Sequence, residues 1–290
     1  LIELKCQSGF PPSRLVTRLT GGFEETKEGV EMGFSSFHNS SPNPAQRYYR
    51  WSGGEKKVEV NGETVKKLKG ELVYWDGEVM QSQELPFTFC VLEQTSSVTG
   101  FAPKGQGNNV RYYSNEITSF DEPIRVTRKD DNGSEVIAEG IYQSVKKNLP
   151  EGCKFQTNLY IYNPVEQRIE RINLKGSALS AFITFGQKNK GIYEHTITMD
   201  VGEEHTTGAV DYIEPKFTLG DKYTDEDMKV LSEQDQIVVD YLKGKREANM
   251  NGVGETDTNG EVIDQTPAQY DGEQSQEASS DEITIGDVPF

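Results

Sequence analysis

Over residues 58–138 apolar and polar positions alternate in short runs with a period of two, the spacing of half-buried strands. Val58-Glu59-Val60, Asn61-Gly62 and Glu63-Thr64-Val65 predict a hairpin, because Asn-Gly supplies the positive φ of a tight turn. Residues 71–75 and 78–81 flank Asp76-Gly77 as a second hairpin, and 123–128 and 135–138 flank the turn at 130–133 as a third. Residues 85–92 read as a buried strand. The period then changes. Ile141, Val145 and Leu149 recur every fourth position, predicting a short amphipathic helix stopped by Pro150 and Gly152. Strands resume at 155–162 and 168–174, a second short helix fits 176–185, and 192–199 and 210–217 read as closing strands. Thr224 and Ser232 each stand three residues before an acid, as in a capping box. Met228, Leu231, Val238, Tyr241 and Leu242 then make one apolar helical face, ending near 243–246 where cations suit a helix C-terminus. Residues 1–45, rich in Gly, Ser, Pro and Asn, read as loop with short strands. The pattern predicts a mostly β, β-rich α+β fold.

Charge alters this picture in one respect. The 290 residues carry a net charge of −17, but residues 1–200 sum to −1 and residues 201–290 to −16. A near-neutral globular part is joined to an acidic end, so any polyanion must be bound by a local cationic patch. Cys6, Cys90 and Cys153 are odd in number and too widely spaced for a metal knuckle, which suits buried thiols in a reducing, cytoplasmic setting. Leu1-Ile2-Glu3-Leu4 has neither the basic start nor the apolar run of a signal peptide. The most apolar window, 178–185, is far short of the roughly twenty residues a bilayer span needs.

Enzyme constellations are not visible. The G-x-x-x-x-G frame at 100–105 lacks the Lys-Ser/Thr of a phosphate loop, and His38, His195 and His205 share no ligand spacing. The expectation is a binding protein without catalytic residues, metal or cofactor. Binding chemistry is better represented. Arg47-Tyr48-Tyr49-Arg50-Trp51 interleaves cations with rings, and Lys56, Lys57, Lys66 and Lys67 follow; from 47 to 69 seven cations face three acids. Cations track phosphates while aromatic rings stack on unpaired bases, whatever the sequence. Tyr74, Trp75, Phe101, Lys104, Arg111, Tyr112 and Tyr113 extend the candidate set.

From Glu247 to Phe290 there are eleven acids and no Lys or Arg, a composition that predicts a disordered acidic tail. The tail ends in an apolar hook, Ile283, Ile285, Val288 and Phe290, with Pro289 and a free α-carboxylate, the form of peptide that a partner's pocket captures. The tip Asp287-Val288-Pro289-Phe290 resembles the acid-rich Ile-Pro-Phe-type ending of bacterial and phage single-stranded DNA-binding proteins. It differs in having Val288 for Ile, and Thr284 and Gly286 where acids are usual, which favours a phage-type or divergent member. The resemblance implies an OB-fold-like barrel with extra hairpins and short helices over residues 1–220, a helical segment over 221–246 and a disordered tail over 247–290. It also implies sequence-independent binding of single-stranded DNA, with Ile285, Asp287, Val288, Pro289 and Phe290 recruiting replication or recombination proteins. The alternative expectation is a structural or protein-interaction component, such as a phage assembly protein, with a solubilising tail.

Overall fold

A computed structural model describes residues 42–60, 63–103, 105 and 109–250, with the backbone alone at 56–60, 63–66 and 250. The expectations for residues before 42, for the Asn61-Gly62 turn, for Lys104 and for the acidic tail with its apolar tip fall outside these residues. The described part is mostly β with three α-helices, an α+β fold as the pattern predicts.

Its strands in chain order are β1 (Tyr48–Ser52), β2 (Glu55–Val60), β3 (Glu63–Leu68), β4 (Glu71–Trp75), β5 (Met80–Gln83), β6 (Phe87–Phe101), β7 (Arg111–Ser114), β8 (Pro123–Asp130) and β9 (Gly133–Ile141). After the single turn α1 (Tyr142–Val145) come β10 (Cys153–Asn163), β11 (Arg168–Lys175), the helix α2 (Gly176–Lys188), β12 (His195–Thr207), β13 (Val210–Lys222) and the helix α3 (Asp225–Met250). Eleven strands form one mixed sheet, ordered β5-β4-β1-β11-β10-β6-β7-β8-β9, while β12 joins the first part of β6 and carries β13. Only β1 and β11 run parallel; the other described pairs are antiparallel. β6 is the spine. It pairs with β10 along most of its length, with β12 through residues 87–89 and with β7 through residues 99–101.

The expected barrel does not close. The sheet is open, and β13 meets the end of β1 through one backbone hydrogen bond, Ile213 N–H to the Gly53 carbonyl (2.8 Å), and through the Trp51 Nε1–H donating to the Ile213 carbonyl (2.8 Å). The reason is local: the chain leaves β1 at Gly53 to form the β2–β3 hairpin, so no strand remains to extend the ladder onto β13.

One face of the sheet is covered by α2. Ala178, Leu179, Phe182, Ile183 and Phe185 pack on Tyr49, Leu72, Phe87, Phe89, Leu159, Ile161, Ile172 and Leu174. Each large aliphatic or aromatic side chain buried there contributes about 1.5–3 kcal/mol. The opposite face receives α3, whose Leu231, Val238, Tyr241 and Leu242 pack on Cys90, Leu92, Tyr160 and Ile169. The capping box at its start is formed as expected: Thr224 Oγ1 and Asp227 Oδ2 are 2.7 Å apart, and each accepts the other residue's backbone N–H. Ser232, by contrast, starts no helix, because α3 runs unbroken through it. The helix expected from Ile141 to Leu149 shrinks to α1 and a 3-10 turn over Lys146–Asn148, and the strand expected from Ile192 begins only at His195. No helix of the described residues is long and apolar enough to cross a membrane.

Gly53 is required where β13 meets β1. A Cβ there would overlap the Ile213 carbonyl oxygen and lie 2.8 Å from Trp51 Nε1, so Gly53→Ala must push β13 away. We expect a loss of about 1–3 kcal/mol, seen as a lowered midpoint in thermal unfolding, whereas Ser82→Ala on the edge strand β5 leaves the midpoint within about 0.5 kcal/mol.

Candidate nucleic-acid interface

Successive strand side chains point to opposite faces, and directly paired residues share one, so the register divides the predicted binding residues into two sets. Tyr49, Trp51 and Tyr74 point toward the α2 core. The Tyr49 hydroxyl donates to the buried Glu170 carboxylate (3.1 Å), and burial pushes its pKa up. Arg47 Nη1 donates to that hydroxyl (3.1 Å), lies 3.6 Å from Glu170 and sets its guanidinium 4.1 Å from the Tyr74 ring centre. Arg168 Nε (2.7 Å) and Asn163 Nδ2 (3.0 Å) complete the shell around Glu170. Trp51 is tied to β13, and Tyr112, opposite Gly100 and Arg128, is buried. With 1% and 5% of their surface exposed, Tyr49 and Tyr112 present no ring face to a base in this structure.

The second set lies on the face away from α2. Arg50 pairs with Asn173, which pairs with Asn158, itself opposite Thr95. Tyr48 pairs with Arg171, which pairs with Tyr160. Trp75 follows Val73, the partner of Arg50, by two residues and so shares this face. Further along, two rows cross the sheet: Phe101–Arg111–Lys129 and Lys154–Thr99–Tyr113–Thr127. Tyr48, Arg50, Trp75, Phe101, Arg111 and Tyr113, drawn from four strands, thus share one sheet face. Lys129, Lys154 and Lys175 join them and were not singled out by the sequence; the one signal for Lys154 is its position two residues before Gln156 in an alternating strand.

Phe101, 45% exposed, is staked in place by a glycine crossing. Gly100 and Gly152 pass so close that a Cβ on Gly100 would overlap the Gly152 carbonyl, and a Cβ on Gly152 (φ +95°) would overlap that of Phe101. The β2–β3 hairpin places Lys56 opposite Lys67 and Lys57 opposite Lys66. Like charges directly opposed destabilise a strand pair. Lys67 is exposed, and the other three are known by register only.

Between the two ends of this face sits a buried carboxylate. Glu116, in the loop after β7, accepts from Arg171 Nη1 (2.9 Å), Thr95 Oγ1 (2.6 Å) and the Tyr160 hydroxyl (3.1 Å), with Lys245 Nζ of α3 at 3.6 Å. Burial raises its pKa, but Arg171, Lys245 and the hydroxyl donors outweigh that and hold it at about 2. The Arg171 guanidinium lies 5.4 Å from the Tyr160 ring and 5.8 Å from that of Tyr48. Next to it is an amide and hydroxyl network: Gln156 donates to Ser97 and Asn158, and Asn158 donates to Thr95 and Ser97. Among the described residues no three His, Cys, Asp or Glu side chains converge as metal ligands. No family model, curated protein or solved structure matches the chain.

Glu116→Gln leaves Arg171 and Lys245 without their counter-charge and is expected to cost about 3–5 kcal/mol at pH 7. Because the folded pKa lies below the unfolded value of 4.5, this contribution is complete above pH 4.5 and is lost as pH falls toward 2. Urea unfolding at pH 7 and at pH 3 should therefore show the wild-type advantage over the variant shrinking on acidification.

Proposed function

We propose that this chain binds single-stranded DNA without sequence preference and coats it, while the acidic C-terminal end recruits replication or recombination proteins. The observation that carries the reading is the gathering of Arg50, Trp75, Phe101, Arg111 and Tyr113, separated by up to 63 positions, on one face of a single sheet. Cations there contact phosphates, and the rings stack on bases at about 1–3 kcal/mol per base. The opposed lysines of β2–β3 add a second cationic element.

Strand order supports the finer, OB-like reading of the fold. β6, β10 and β11 are successive antiparallel neighbours; α2 follows; β12 returns to β6 and β13 to β12. An OB fold has the same order, five strands with a helix between the third and fourth, in a partly open barrel whose strands 2–3 face and loops take oligonucleotides. Here strands 2 and 3 correspond to β10 and β11, and the loop between strands 1 and 2 carries β7, β8 and β9. The eleven acids from Glu247 onward compete with phosphates for the same cations, so bound DNA frees the tip for a partner.

Titration of labelled oligothymidine against a duplex of equal length should show preference for the single strand, with a log–log salt slope of about −0.7 per phosphate contacted. Phe101→Ala should weaken binding by about 1–3 kcal/mol without lowering thermal stability. Deletion of residues 281–290 should leave DNA affinity unchanged or raise it. Equal affinity for duplex, or weaker DNA binding after the deletion, counts against the proposal.

A further inference from the structure

α3 covers a surface built unlike an ordinary helix seat. Beneath and beside it lie Tyr48, Tyr160 and Tyr162, with Arg171 between the first two rings and Asn158 and Asn173 alongside. These side chains continue the face that carries Arg50, Phe101, Arg111 and Tyr113, in the same register. The helix holds to it by four buried apolar side chains, while its Met228, Val230, Ile237 and Val239 remain exposed. α3 is also acidic, with seven Asp and Glu against four Lys and Arg between 225 and 250. Across the seam, burial raises the Glu93 carboxyl's pKa and the nearby Asp235 charge adds to the shift. At its C-terminal end α3 is pinned by Lys245 to Glu116 (3.6 Å) and by Arg246 to Glu122 (3.6 Å) and Thr118 (2.8 Å).

We propose that α3 is a displaceable anionic strap, and that the tyrosine and arginine surface beneath it is a second single-strand subsite, exposed when nucleic acid displaces the helix. This rests on the single-strand reading above and adds to it a concealed half of the site. Six of its seven carboxylates face solvent, and the charges it sets against the sheet are Lys245 and Arg246; when it lifts, it uncovers rings spaced along adjacent strands. The pins at Lys245 and Arg246 set how readily it lifts. A closed fraction reduces apparent affinity in proportion, so weakening the pins strengthens binding.

The test uses the full chain and a Lys245→Ala/Arg246→Ala variant, with oligothymidine of about 20 nucleotides as the probe, long enough to span a site of about 4–16. Loss of two cations ordinarily weakens DNA binding; here affinity should instead rise about threefold to tenfold, the size set by two partly exposed ion pairs. In the wild type, saturating oligothymidine should accelerate amide exchange over residues 225–250 while slowing it in β10 and β11. Unchanged or weaker binding by a folded variant overturns the strap, as does unchanged exchange in α3 at saturation. The exchange measurement stands even if the variant fails to fold. Absence of any binding by the wild type overturns the single-strand reading itself, a result distinct from binding with α3 still seated.

Discussion

One buried carboxylate joins three parts of the chain that are remote in sequence. Glu116 comes from the loop after β7, Arg171 from β11 and Lys245 from α3, and the two cations meet one acid under a helix. Taking charges out of water costs several kcal/mol per ion, repaid only where geometry and extra donors are good, and here Thr95 and Tyr160 supply them. The consequence is positional. The loop cannot leave without abandoning Arg171, and α3 cannot lift without releasing Lys245. A second hub on the other face, Glu170 with Arg47, Arg168, Tyr49 and Asn163, fixes β1 against β11 in the same way.

These hubs explain why only part of the candidate site was legible in the sequence. Arg47-Tyr48-Tyr49-Arg50-Trp51 reads as a single patch when written as a string. Folded as β1, it divides by parity: Tyr48 and Arg50 lie on the face away from α2, Tyr48 against the α3 cluster, while Tyr49 and Trp51 enter the α2 core and Arg47 closes over Tyr49 and Tyr74. Composition carries no parity; only a committed strand register does. β1 and β7 are four or five residues long and flanked by loop, too short for alternation to show. β10, β11 and α2 were legible because their period persisted over seven or more residues. The short β4 and β5 were legible because Asp76-Gly77 marks the turn between them, whereas the polar second half of β6, residues 93–101, was missed. Ile141–Leu149 misled because three apolar positions at helical spacing were split between the end of β9, α1 and the extended residue after a 3-10 turn, where β9 pairing and the packing of Val145 with β8 won.

The sheet's openness has a comparable origin. β1 lies parallel to β11, in the place where the final strand of a closed barrel would pair, and its chain turns out at Gly53 toward the lysine hairpin. Closure is given up for a cationic arm rooted at Trp51 and Ile213. On the other side, the meander β7–β8–β9 extends the sheet past β6 and carries Arg111 and Lys129. The meander widens the face away from α2, where the proposed strand would run, while β2–β3 stays a separate two-stranded sheet.

Parity also sets how this face can change over time. Within β1 a substitution alters one side chain, but insertion or loss of a single residue would exchange the entire inward and outward sets, turning Arg50 onto aliphatic core and Trp51 into water. Such a frame error cannot be absorbed at one end, since β1 is gripped by β11 on one side and β4 on the other. Length in this five-residue segment is therefore under stricter constraint than the identity of its outward members, and variation should accumulate in the hairpin that follows.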